Sequence, residues 1–261
     1  KAGVSVKKYA IGPDFDISYP RHLGDGEYFL VPDYFGVSAD LIHRVLKNMP
    51  LERVIVDCAQ AYFAAYPAAA ARIYSPRKFL PVADGGFVAT NLELASEPAD
   101  DQAAIAGYQY LLQRTVAPAE TTRDAYLDAE ERMNDVSLRA MSGFTGNIIR
   151  TLDQDFIKSR RRDNYRILEE LGGINRLNLR LGAQTPLYYP LMTPHAEKIW
   201  QALLDLHIYT PRYWPNVEPR SDFEQALLHE TLFLPIDHRY DAAAMVFLKD
   251  TVAQMHQRFS H

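Results

Sequence analysis

Cysteine is nearly missing from this chain. Cys58 is the only one in 261 residues, which excludes an internal disulfide and a cysteine-rich zinc site, and a reducing cytoplasm is the simplest compartment for such a protein. No apolar run approaches the roughly 20 residues needed to span a bilayer, so no membrane partner is expected. The opening Lys1-Ala-Gly-Val-Ser-Val has no hydrophobic segment of signal-peptide length. There is no basic excess: the formal net charge is −5, so nothing points to a nucleic-acid surface. His-Glu-x-x-His, Gly-x-Ser-x-Gly and Walker-type loops are absent. The scattered histidines therefore read as ordinary surface or partly buried residues, and no metal is expected. Internal repeats and low-complexity linkers are absent too. So is an initial Met: the chain opens directly into a strand-like run over residues 4–11, and the expectation is that further chain precedes it.

What remains is ordinary globular material, 48% hydrophobic and 23% charged, enough for a real core. The first half alternates strand-like and helix-like segments. Residues 27–32 read as a strand ending in the loop Asp33-Tyr34-Phe35-Gly36. Residues 39–49 read as an amphipathic helix with Leu41, Ile42, Val45, Leu46 and Met49 on one face. Residues 53–56 form a short apolar run of the kind buried in a parallel sheet, and residues 72–74 and 86–90 look like further strands. This order favours a layered α/β domain. Residues 103–114 read as one helix, and 122–171 as one very long helix or two in tandem with a break near Ser142-Gly143. Gly172-Gly173 is a stop signal. Beyond it, 177–181, 187–191 and 232–234 are strand-like, 209–214 is extended, and 194–206, 222–229 and 242–257 are helical, together a smaller α/β domain.

Asp57 directly follows the β-branched run Val54-Ile55-Val56, which places it at the C-terminal end of a strand, where open α/β sheets bind ligands. An Asp there serves either as a helix N-cap or as a buried carboxylate partner for a cationic ligand. Lys78 follows another short strand, so both side chains can face one crevice. Lysine is usually a solvated surface residue, but Phe79-Leu80-Pro81-Val82 would desolvate this amine, lowering its pKa and making it nucleophilic toward a carbonyl. The paired glycines of Asp84-Gly85-Gly86 permit tight turns nearby. Arg160-Arg161-Arg162, with Asp153, Asp155 and Asp163 nearby, reads as a solvated, salt-bridged helix face. Tyr188-Tyr189 and Tyr213-Trp214 read as packing clusters. Arg212 is either a surface group or a bidentate ligand for a substrate carboxylate or phosphate.

Asp57-x-Ala59-Gln60-Ala61, Ser75-x-x-Lys78 and Asp84-Gly85-Gly86 together resemble the catalytic stretch of the DegT/StrS-type aminotransferases, of fold type I like aspartate aminotransferase. That pattern runs from Asp-x-Ala-Gln/His-Ala to a Lys followed at the same offset by Glu-Gly-Gly. Tyr34-Phe35-Gly36 is similar to the family's aromatic-Gly loop. Arg139-Ala140-Met141-Ser142 and Arg160-Arg161-Arg162 are similar to parts of its long interdomain helix. The stretches from Tyr209 to Pro215 and from Leu234 to Tyr240 are similar to its small domain.

The resemblance implies an α/β fold, the three-layer sheet domain of PLP-dependent transferases plus a smaller C-terminal α/β domain. Residues 1–121 would be part of the large domain, 122–171 the interdomain helical segment and 172–261 the small domain. It implies pyridoxal 5′-phosphate (PLP) as cofactor. Lys78 would form the Schiff base and move the substrate Cα proton, Asp57 would keep the pyridinium nitrogen protonated, Gln60 would lie beside the ring, and Ser75 is a candidate phosphate ligand. Tyr34 and Arg212 are candidates for substrate contact. Partners would be a small-molecule amino donor and a keto acceptor, a keto sugar among them, and the protein would be a homodimer. The chain departs from the pattern in several places. Ile73 stands where the family has its phosphate serine, the interval from Asp57 to Lys78 is short, and Asp84 replaces Glu. Fold-type-I enzymes also carry about a hundred residues ahead of this region, including a glycine/serine-rich phosphate-gripping helix start, for which nothing before Asp57 qualifies. Two other readings stay open: a catalytically silent relative with a binding or regulatory role, and a PLP lyase or dehydratase.

Overall fold

A computed structural model of the chain describes residues 3–20, 22–94, 102–118, 120–134 and 138–260. Its main sheet has four strands in sequence order: β1 Phe29–Pro32, β2 Val54–Cys58, β3 Ala71–Tyr74 and β4 Phe87–Thr90. The first three are parallel, and β4 returns antiparallel against β3. The helices are α1 Ala39–Asn48, α2 Gln109–Gln113, α3 Arg123–Glu131, α4 Gly143–Thr151, α5 Gln154–Leu168, α6 Ala196–Asp205, α7 Asp222–His229 and α8 Ala242–Phe259. A second, antiparallel sheet joins β5 Tyr188–Met192 to β6 Thr231–Pro235. None of the helices among the described residues is long and apolar enough to cross a membrane.

Helix α1 forms because its apolar residues recur at helical spacing. Leu41, Ile42, Val45 and Leu46 are buried in one cluster with Phe29, Val31, Val54 and Val56 of the sheet, each contributing about 1.5–3 kcal/mol relative to exposure. These strand residues alternate with ones on the opposite face. There the register sets Pro32 beside Asp57, Asp57 beside Ile73 and Ile73 beside Val88, and Leu30, Ile73 and Val88 remain exposed. Asp57 thus belongs to the sheet's open face, with α1 covering the other.

A second cluster surrounds β5 and β6, with Tyr165 and Leu168 of α5, Ile199 and Leu203 of α6, and Leu248 and Val252 of α8. It also takes in Phe15, Tyr34, Phe35 and Val37 from the N-terminal part of the chain. A third cluster gathers Phe79, Leu80 and Val82 with Ile149, Ile157 and Leu187, linking the loop after Lys78 to α4 and α5.

Several sequence expectations are corrected. Residues 4–11 form no strand: Val4 and Val6 are 73% and 75% exposed, and only Ile11 makes an isolated bridge, to Ile17. The helix expected over 103–114 is a 3-10 turn, Gln102–Tyr108, leading into the short α2. The 122–171 stretch does break at Ser142-Gly143, as its sequence suggests, but it holds three helices, α3, α4 and α5, because two caps restart the backbone. The Ser142 hydroxyl accepts the Thr145 N–H at 3.2 Å to open α4, and the Asp153 carboxylate accepts the Phe156 N–H at 2.9 Å to open α5; residues 135–137 lie outside the described set. The segment 177–181 is irregular, with the Leu177 N–H bonded to the Asn175 side chain at 3.0 Å instead of to a strand. The Arg160–Arg162 stretch is not a solvated face: Arg161 is 2% exposed.

Candidate active site

The sheet delivers two functional side chains to neighbouring strand ends. Asp57 is the penultimate residue of β2 and is half-buried. Its Oδ1 accepts the Ala59 N–H at 2.8 Å, so it caps the turn after the strand, and no helix begins there. Among the described residues, no hydrogen bond reaches its other oxygen. Ser75 follows β3 and starts the 3-10 turn Pro76–Lys78. That turn forms because Pro76 presets its first φ, while the Phe79 and Leu80 N–H groups both bond the Pro76 carbonyl, at 2.9 and 2.8 Å.

Lys78 ends this turn. It is exposed, yet the protein on its inner side desolvates the amine enough to lower its pKa. The Asp57 charge works against that shift and Arg77 adds to it. The amine therefore lies within electrostatic reach of the Asp57 carboxylate while being held below the ordinary lysine range, the condition for a nucleophilic amine. Arg77 is tied to Glu130 of α3 by an ion pair at 3.0 Å. The phenols of Tyr110 and Tyr126 stand close enough to feel the Arg77 charge.

Gln60 serves the aromatic-Gly loop: its Oε1 accepts the Phe35 N–H at 3.1 Å. Gly36, at φ +69°, could carry no side chain there, since a Cβ would stand 2.9 Å from the Thr185 carbonyl oxygen. The Ser75 hydroxyl makes no hydrogen bond to a described residue. Tyr34 is near enough to Asp57 to feel its charge, but it is buried: it stacks on Phe15 at 5.1 Å, meets Trp214 edge-on at 5.9 Å, and pairs its hydroxyl with Tyr9. Arg212 is exposed, ion-paired with Glu197 and stacked over Trp200 at 4.2 Å. Asp57, Lys78 and Ser75 are thus brought to the strand ends, whereas Tyr34 sits in the core and Arg212 is engaged on the C-terminal surface.

Sequence reasoning missed three contacts that shape the site. Asp84 accepts the Ser142 N–H at 2.8 Å and the Ser142 hydroxyl at 3.1 Å, and bonds the Thr145 hydroxyl as well. Arg161 lies over Phe79, the neighbour of Lys78. Glu130 reaches Arg77. Each joins segments far apart in sequence. Only the first had a local signal, the helix-start pattern Ser142-Gly-Phe-Thr145. Among the described residues, no three His, Cys, Asp or Glu side chains converge as metal ligands.

The residues fit a pyridine cofactor at two points. An available carboxylate oxygen suits a protonated ring nitrogen, and a depressed-pKa amine suits an aldehyde carbon.

No protein-family model and no curated protein matches the sequence. Solved structures do. PseC of Helicobacter pylori, an aminotransferase of pseudoaminic acid biosynthesis, superposes on 95% of this chain and 73% of its own, with TM-score 0.57 and 13% identity. A DegT DnrJ EryC1 StrS aminotransferase of Brucella abortus matches 88% of this chain and 64% of its own, with TM-score 0.53 and 14% identity. Spr1654 of Streptococcus pneumoniae, solved in its PLP form, matches 89% and 69%, with TM-score 0.52 and 12% identity. The chain spans under two thirds of the Brucella protein, and identities this low speak to architecture alone. That architecture, a mostly parallel sheet with a small antiparallel sheet beyond it, is the fold of the DegT/DnrJ/EryC1/StrS sugar aminotransferases.

Proposed function

We propose that this chain is the lysine-bearing part of a PLP-dependent aminotransferase that passes an amino group from a small-molecule donor to a keto acceptor, a keto sugar among the candidates, and that it works as a homodimer. The observation that carries the reading is that Asp57 and Lys78 follow neighbouring strands of the sheet, close enough for the carboxylate charge to act on the amine, whose pKa desolvation lowers.

PLP supplies a protonated ring that absorbs the electron pair left on a substrate carbon. Lys78, through its neutral amine, would hold the cofactor at its carbonyl carbon, with water as the leaving group. Its Nζ would also be the group that takes and returns the proton at the substrate Cα. Asp57, through its available oxygen, holds the proton on the ring nitrogen. Ser75, which follows β3, would donate to the phosphate. Gln60 holds the aromatic-Gly loop through the Phe35 N–H, which keeps the strand ends in register with the C-terminal cluster. Residues 1–121 contribute the cofactor side and residues 172–261 the smaller domain.

The test is covalent trapping. Purified full-length protein is incubated with PLP, reduced with borohydride and digested. The expected product is a mass addition on the peptide containing Lys78, absent in Lys78→Ala. In Asp57→Asn the addition persists while amino transfer falls by about 10²–10³-fold, the usual loss when one charge-stabilising group is removed. A folded protein that acquires no label is a silent relative, and a labelled one that eliminates but does not transfer is a lyase or dehydratase.

A further inference from the structure

Arg161, in the middle of α5, is a cation almost wholly removed from water, 2% exposed. Its Nη2 donates to Asp237 Oδ2 at 2.7 Å and its Nη1 to the Leu187 carbonyl at 3.2 Å. Its guanidinium carbon stands 4.9 Å from the centre of the Phe79 ring. Its Nε is buried and has no hydrogen-bond partner among the described residues. Burying a guanidinium with one donor unmet is costly, and a well-packed apolar side chain would serve stability as well or better. An apolar side chain could not fix three separate elements through one rigid planar fork. Those elements are the loop after β6, the residue before β5 and the ring of Phe79, the residue that follows Lys78. Asp237 is itself steadied by Arg239, whose Nε donates at 2.6 Å. Burial pushes the Asp237 carboxyl up, but the Arg161 and Arg239 charges outweigh it and leave its pKa below the usual range. Burial lowers the Arg161 pKa while the Asp237 charge opposes that shift, so each partner favours the charged form of the other.

We propose that Arg161, held by Asp237, is a positioning residue for Lys78: by holding the Phe79 ring it anchors the residue whose N–H closes the Pro76–Lys78 turn, and so fixes where the amine projects. Arg161 acts only through Phe79. The charged groups facing the amine are Asp57 from β2 and Arg77 from its own turn, with Glu130 of α3 behind Arg77. Loosening the ring leaves those charges in place but lets the turn shift, which relaxes the desolvation of the amine and lifts it toward the ordinary lysine range.

The inference rests on Lys78 being the reactive amine, and its test needs no cofactor. Cofactor-free protein is exposed to a small amine-acylating reagent across a pH series, and the labelling of Lys78 and of the exposed Lys47 is followed by peptide mass. In Arg161→Lys and in Phe79→Leu, the midpoint of Lys78 labelling is expected to shift upward toward that of Lys47, while Lys47 itself does not move. Circular dichroism establishes that each variant is folded. If Arg161→Lys does not fold, Phe79→Leu, which keeps an apolar group but removes the ring, decides the matter. An unchanged Lys78 midpoint in folded Phe79→Leu overturns the proposal. Failure of PLP trapping with a shifted midpoint would sink the cofactor reading and leave the positioning role standing; trapping with an unmoved midpoint would do the reverse.

Discussion

Asp33 and Asp57 lie one residue past β1 and one residue short of the end of β2, and their surroundings set them to different work. Asp33 is fully buried. It accepts the Tyr66 hydroxyl at 2.5 Å, the Ser38 hydroxyl at 3.0 Å and the Ser38 N–H at 3.2 Å. Burial pushes its carboxyl pKa up, and these hydrogen bonds only partly offset the shift. Every nearby donor is thus already spoken for, and Asp33 organises the turn into α1. Asp57 is half-buried and keeps an oxygen available, which makes it the one suited to a ligand. A raised carboxyl binds its proton more tightly in the folded state. Its contribution to stability is full below the unfolded value of 3.8 and is lost as pH rises through the higher folded value. An asparagine amide in place of the carboxyl would accept the Ser38 bonds, turn its NH₂ toward Tyr66 and never ionise. In Asp33→Asn the thermal midpoint should therefore fall less than that of the parent as pH rises from about 4 to about 8. Parallel midpoint–pH curves for the two proteins would refute this.

At the scale of elements, Asp84-Gly85-Gly86 joins the sheet to α4. The carboxylate of Asp84 sits at the helix start, where free N–H groups and the helix dipole favour a negative charge, and it binds Ser142 twice and Thr145 once. Gly85 holds φ +97°, and a Cβ there would stand 2.6 Å from the Met141 sulfur, so the turn accepts no side chain where it meets the α4 start. Replacing Asp84 by Ala strands the Ser142 and Thr145 donors. The expected cost is about 1.5–3 kcal/mol, the range for hydrogen bonds to a charged group, read as a lower urea midpoint with an unchanged slope. A loss below about 0.5 kcal/mol would mean that water replaces the carboxylate. The strands of this region were legible because β-branched runs such as Val54-Ile55-Val56 have few alternatives. The positions of Asp57 and Lys78 at the ends of strands were legible because Asp57 follows Val54-Ile55-Val56 directly and Lys78 comes soon after Arg72-Ile73-Tyr74. The clasp was not, since Asp84 and Ser142 are far apart in sequence and hydrophobic periodicity carries no information about which turn meets which helix. Periodicity also ran through Asp153 as though it were helix interior, because an N-cap differs from a solvent-facing residue only by its hydrogen bond, whereas Ser142-Gly143 did mark a break. Residues 4–11 failed for the opposite reason: they alternate like a strand but, apart from the bridge at Ile11, pair with no strand among the described residues.

Across the whole molecule, the aromatic-Gly loop couples the main sheet to the C-terminal cluster. Phe35 leaves β1's end in a left-handed conformation, φ 56°, a strain of about 1–3 kcal/mol. That conformation drives its ring into the C-terminal core, 4.5 Å from Phe233, 5.2 Å from Tyr213 and 5.5 Å from Trp214. Its carbonyl accepts the Leu187 N–H at 2.7 Å, on the same residue whose carbonyl Arg161 holds. Phe15 lies in this C-terminal cluster, while Ile17, two residues on, lies in the α1 cluster. The N-terminal segment thus straddles both cores. Two cores tied this way should melt together, with the strained Phe35 as the principal apolar tie. Truncating it in Phe35→Ala keeps the backbone strain and removes the ring, so the loss should reach about 3–5 kcal/mol. More tellingly, the single calorimetric transition of the parent should separate into two, because the sheet carrying Asp57 and Lys78 keeps its α1 cluster while the C-terminal sheet loses its plug. A single transition shifted down intact would show that Phe15 and the Arg161–Asp237 pair suffice to couple the halves, and that Phe35 contributes burial without being the link.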